Sequence, residues 1–92
     1  MDLLFSKQIC LEDERSMILK YFLVEKNKDL NLLPLYGIQI TKYLDDVIET
    51  DNVTGISHSK DKVIKLIKKL FQYEVTPISM VEIIDDFVTQ GI

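Results

Sequence analysis

Ser57-His58-Ser59-Lys60-Asp61-Lys62-Val63-Ile64-Lys65-Leu66-Ile67-Lys68-Lys69-Leu70-Phe71 is the stretch at which the rhythm of this chain changes. Val63, Ile64, Leu66, Ile67, Leu70 and Phe71 recur at steps of three and four, the spacing that lines one side of a helix with apolar groups. Upstream, the apolar residues alternate with a period of two, as strands require. Strands grouped first and helices last predict an α+β fold, an antiparallel meander of three to four strands followed by a two-helix hairpin packed on one face. At 92 residues the chain suffices for one modest core and not for two, so 1–92 reads as a single domain with a sheet half over 3–56 and a helical half over 57–90.

Working outward toward the C-terminus, Ser57 or Ser59 can cap the first helix, its hydroxyl accepting an amide proton that the first turn leaves unpaired. That helix should end near Tyr73. Thr76-Pro77 restarts a helix, with Thr76 as N-cap and Pro77 at the first helical position, where a missing N–H is no loss. Ile78, Val81, Ile84, Phe87 and Val88 are expected as its buried stripe, with Glu82, Asp85 and Asp86 outside and Gly91 as a stop.

Toward the N-terminus, Leu3, Phe5, Ile9 and Leu11 fall on one face of a first strand, with Lys7 as a mismatch, and Ser6, Gln8, Cys10 and Glu12 on the other. The charged turn Glu12-Asp13-Glu14-Arg15 leads into a second strand over 16–25. There Met17, Leu19, Tyr21 and Leu23 oppose Ile18, Phe22 and Val24, interrupted only by Lys20. A strand apolar on both sides is expected where the second face of the sheet is also covered, by chain or by partner. Tyr36, Ile38, Ile40 and Leu44 oppose Gly37, Gln39, Thr41 and Tyr43 on a third strand, Asp45-Asp46 offers a tight turn, and Val47 to Ile56 forms a fourth. Between the second and third, Leu30 to Leu35 is rich in leucine but contains Pro34, which argues against a central strand.

Composition restricts function. The longest apolar runs, Met17 to Leu19 and Tyr21 to Val24, fall far below the roughly 18 residues of a membrane span. Asp2 and Lys7 flank the first apolar residues, unlike a secretory signal, so the cytoplasm is the expected compartment. A net charge of −4 disfavours nucleic acid as the partner. Lys60, Lys62, Lys65, Lys68 and Lys69 concentrate basic charge on the first helix, which reads as a solvated face.

No residue set has the spacing of a cofactor, metal or catalytic site. The single His58 and single Cys10 are separated by 47 intervening positions, Asp45-Asp46 and Asp85-Asp86 lack the alternating oxygen ligands of a calcium loop, and no glycine-rich phosphate loop is present. The expectation is a non-enzymatic module that binds another protein or itself as a homodimer, with no cofactor. Its candidate surface is Ile18, Phe22 and Val24 with Leu30, Leu32 and Leu33, which mark an association site if contiguous and exposed. The alternative is a small anion niche at the start of the first helix, formed by Ser57, His58, Ser59 and Lys60. The competing reading of those serines is ordinary capping, and that of the leucine-rich stretch is a loop folded over the open sheet.

Five segments also carry a resemblance: Tyr21-Phe22-Leu23-Val24-Glu25, Tyr36-Gly37-Ile38-Gln39-Ile40, Ile56-Ser57, Glu74-Val75-Thr76-Pro77 and Asp85-Asp86-Phe87-Val88. Together they resemble a family of short uncharacterised proteins of clostridial, spore-forming anaerobic Firmicutes. The resemblance implies a bacterial cytoplasmic protein and supplies no catalytic residue. Its landmarks are strand, cap and helix-start residues, and Leu30 to Leu35 looks like an addition to the pattern.

Overall fold

The computed structural model describes residues 1–26 and 33–89, with side chains as far as Asp86. Expectations placed on Leu30, Leu32 and Gly91, and on the side chains of Phe87 and Val88, lie outside the described residues. Four strands, β1 (Asp2–Cys10), β2 (Ser16–Lys26), β3 (Leu35–Leu44) and β4 (Val47–Ser57), precede two helices, α1 (Lys60–Gln72) and α2 (Pro77–Thr89). The strands form one antiparallel sheet in the order β1-β2-β3-β4, and both helices pack on the same face of it. The α+β class and its meander are as the periodicity predicts.

Each connection has a local cause. Leu11 and Arg15 close the first turn, the Leu11 amide donating to the Arg15 carbonyl at 2.8 Å, while Glu14 takes a left-handed φ of 68°. Asp45 and Asp46 join Leu44 to its partner Val47, with Asp45 also left-handed, a conformation that Asp tolerates better than branched residues do. Arg15 ties these two turns together: its guanidinium meets Asp13 at 2.6 Å and Asp45 at 3.0 Å. Desolvation raises the Asp13 carboxyl, but the Arg15 amide and guanidinium outweigh it and hold that carboxyl below its ordinary range.

At the end of α1, Tyr73 is the cap residue and Glu74 adopts φ 54°. The Glu74 amide donates to Phe71 and the Val75 amide to Leu70, the paired bonds of a Schellman stop, with the apolar contact supplied by buried Leu70 and Val75. The position would suit glycine. Glu74 is instead used by Lys7, whose ammonium lies 3.2 Å from the carboxylate and 4.8 Å from the Phe71 ring centre. This resolves the mismatch in β1, since the Lys7 stem runs along the core-side aromatic surface and its charge ends at α1.

Leu19, Tyr21, Leu23, Ile38 and Ile40 of the sheet meet Val63, Leu66, Ile67, Leu70, Val75, Met80 and Ile84 in one core. Phe71 stacks on Phe5 with ring centres 4.7 Å apart and meets Tyr21 edge-on at 5.7 Å. The buried Tyr21 hydroxyl donates to the Val75 carbonyl at 2.9 Å. Burial, and then the charge of Glu74, push this phenol up to about 12.

Two face assignments are corrected. A bulge between Leu3 and Phe5 shifts the alternation, so Leu3 pairs with Phe22 on the open face and is 51% exposed, while Leu4 packs against the core. On α2 the buried stripe is Pro77, Met80 and Ile84, not Ile78 and Val81, which are 75% and 41% exposed. Packing of α2 against β3 and β4 turns Met80 inward. A second irregularity lies between Tyr36 and Ile38, where β4 spends extra residues around Gly55, whose φ is +69°. There β4 closes over Gly37 so tightly that a β-carbon on Gly37 would lie 2.8 Å from the Thr54 Cα. This bulge brings both Val53 and Ile56 against the core.

Candidate functional site

The open face of the sheet is defined by register. On β2 it carries Ile18, Lys20, Phe22 and Val24. Their neighbours are Gln8, Ser6 and Leu3 on β1 and Tyr43, Thr41, Gln39 and Gly37 on β3; Ile48, Thr50 and Asn52 of β4 extend the same face. Because both helices take the face of Leu19, Tyr21 and Leu23, the predicted set Ile18, Phe22 and Val24 falls on the side that no helix covers. Those three are half-buried, and Leu33 is 73% exposed.

The face has its own polar order. Thr41, buried between β2 and β4, accepts from the Thr50 hydroxyl at 3.2 Å and from the Gln39 amide at 3.5 Å. The Lys20 ammonium lies 5.2 Å from the Tyr43 ring centre, so the one charge interrupting the apolar row is laid along an aromatic face. Among the paired positions of this face stand Lys20 and Lys26 but no carboxylate, although the chain contains 15 acidic residues. Glu49 and Asp51 point to the helix side of β4, where Glu49 lies 3.0 Å from Lys42, and the remaining described acids sit in turns, at strand ends and on helices. Sequence reasoning could not see this exclusion, because it appears only once the register has sorted all four strands at once.

The other predicted set occupies the start of α1. Ser59 is the N-cap and accepts from the Lys62 amide at 3.4 Å, while the Ser57 hydroxyl accepts from the Ser59 amide at 3.0 Å. His58 Nδ1 donates to the Pro34 carbonyl at 3.0 Å, and His58 and Lys60 are both exposed. The four residues are neighbours, but both hydroxyls are engaged with amides of their own turn, and Asp61 adds a negative charge there. Cys10 lies beside Ser16 at the turn end of the sheet, whereas His58 follows Ser57 at the opposite end, so the fold does not bring them together. Among the described residues no three His, Cys, Asp or Glu side chains gather where they could hold a metal ion, and no helix is long and apolar enough to cross a membrane.

A family model described as "Family of unknown function (DUF6514)" matches residues 1–90. The chain belongs to this family. No curated protein and no solved structure matches it. Membership in DUF6514 agrees with the uncharacterised family that the five segments resemble, and it brings no ligand or partner with it.

Proposed function

We propose that this DUF6514 protein is a non-enzymatic protein-interaction module of the cytoplasm of a clostridial bacterium, and that its contact surface is the open face of the sheet. The observation that carries the reading is the row Ile18, Phe22, Val24 and Tyr43, which lies on the face opposite both helices. Apolar side chains gain free energy when a partner removes them from water, at about 25 cal/mol per Å².

The edges of the sheet support a face contact over an edge contact. On the β1 edge, Lys7 points inward and the strand is bulged; on the β4 edge, Glu49 and Asp51 point inward and a bulge surrounds Gly55. Inward charges and bulges discourage a further strand from joining. Among the described residues, the only charges at paired positions of the open face are Lys20 and Lys26. The anion-binding alternative at Ser57, His58, Ser59 and Lys60 has less support, because capping already uses both hydroxyls.

Replacing Phe22 by a photo-crosslinking phenylalanine in the source cell tests this directly. A discrete protein adduct formed from position 22, and not from the same label at exposed Lys65, is the expected result. Equal or diffuse labelling from both positions contradicts the proposal.

A further inference from the structure

We infer that the partner of the open face is a segment of another protein that sets an aspartate or glutamate among apolar side chains, and that Lys20 is the residue that selects it. This rests on the reading of that face as a protein contact and adds the chemistry of the occupant. Lys20 is half-buried between Ile18 and Phe22 on β2, an inner strand of the sheet, with Ser6 beside it on β1 and Thr41 beside it on β3. A partner that covers both Ile18 and Phe22 therefore covers Lys20 as well.

Covering an ammonium group strips its water, and that cost is offset only when an opposite charge and hydrogen-bond acceptors take the place of the water. The described residues of the chain do not bring that charge. None of their ion pairs includes Lys20, and no paired position of the open face holds a carboxylate. The Tyr43 ring, centred 5.2 Å away, attracts the ammonium but does not replace the oxygen acceptors that its three N–H donors need. The neighbouring Thr41 hydroxyl already accepts from Thr50 and Gln39. A second copy would be no better, since across a two-fold axis the same face offers its own Lys20 and Lys26. A nucleic-acid backbone calls for clustered cations, whereas Lys26 stands apart at the exposed end of β2. An ion pair at such an exposed position contributes little, which leaves Lys20 as the charge that discriminates. A wholly apolar partner would bury it unpaired. A carboxylate flanked by apolar groups meets Lys20 and covers Ile18, Phe22 and Val24 together.

The photo-crosslinking phenylalanine at position 22, combined with charge changes in the full chain and used in the source cell, tests the inference. Circular dichroism on each purified variant confirms that it is folded. Mass spectrometry of the adduct should place an Asp or Glu in the crosslinked segment of the partner. Lys20→Glu should lower the adduct yield by about tenfold or more, and Lys20→Met, which keeps an apolar stem, should lower it too. Lys65→Glu, on the outer side of α1, should leave it unchanged. Replacing the partner's carboxylate by lysine should restore the adduct of Lys20→Glu. An adduct that keeps its yield in Lys20→Glu, or a crosslinked segment without Asp or Glu, overturns the inference and leaves the protein-contact reading standing. An adduct between two copies of this chain does the same. The lack of any discrete adduct from the native chain overturns both, and so does an adduct destroyed by nuclease, which would assign the face to nucleic acid.

Discussion

The two faces of the sheet are built from alternate residues of the same strands, yet they solve different problems. On the helix side, Leu19, Tyr21, Ile38 and Ile40 are fully buried, and polar groups set beside them are paired, Tyr21 by Val75 and Lys7 by Glu74. On the open side, Ile18, Phe22 and Val24 are half-buried while Leu3 and Ile48 are exposed, Lys20 is laid on an aromatic ring, and among the described residues no paired position holds a carboxylate. The difference separates residues that hold the monomer together from residues on the face proposed above as the contact, and substitution can test that division.

The largest separation should come from paired truncations on β2. Leu19→Ala leaves a cavity in the core and should lower the unfolding free energy by about 2–5 kcal/mol, measured by urea denaturation. Phe22→Ala on the opposite face should cost less than about 1 kcal/mol in dilute, monomeric protein, as surface substitutions do. Comparable losses at the two positions would break the distinction. Gly37→Ala tests where β4 closes over β3: the new methyl has no room beside Thr54, and a loss of about 1–3 kcal/mol is expected from overpacking.

Tyr21→Phe sharpens the account of the covered face. It removes the hydroxyl from the buried Val75 carbonyl and should destabilise by about 1 kcal/mol. It should also change the response to base. The Tyr21 phenol is raised from 10.0 to about 12 on folding, so above pH 10 the unfolded chain releases this proton before the folded one. The stability it contributes is fully present below pH 10 and is lost as pH rises to about 12. Denaturation curves across that window should fall less steeply for Tyr21→Phe than for the native chain. The smallest effect should be Glu74→Gly, which relieves a left-handed φ at the end of α1 but loses the exposed pair with Lys7. Relief of the backbone should exceed the ion pair, giving a gain of up to about 1 kcal/mol in thermal or urea unfolding.

Much of this architecture is legible in the sequence because periodicity and turn chemistry are local signals. The switch at Ser57, the Thr76-Pro77 restart, the Asp45-Asp46 turn and the opposition of Leu19 and Tyr21 to Ile18, Phe22 and Val24 all follow from neighbouring residues. What escaped the sequence depends on long-range geometry. The bulge at Leu4 exchanges Leu3 for Leu4 at the core, and nothing within the segment Leu3-Leu4-Phe5 distinguishes the two leucines. The rotation of α2 follows from packing against β3 and β4, so a helix apolar at Ile78, Met80, Val81 and Ile84 does not reveal which of these turn inward. Lys7 looked out of place on β1 because its partners, Phe71 and Glu74, lie far along the chain. That no described paired position of the open face holds a carboxylate becomes visible only when four strands are aligned.

Methyl-resolved NMR spectra of the labelled full chain, recorded in buffer and in lysate of the source cell, test the central claim most directly, because they read both faces of the sheet in one sample. The account predicts that the methyl resonances of Ile18, Val24 and Ile48 shift in lysate, while those of Leu19, Ile38 and Ile40 keep their positions. Resonances on the open face that are the same in both, or a response confined to Ile78 and Val81 on α2, would contradict it.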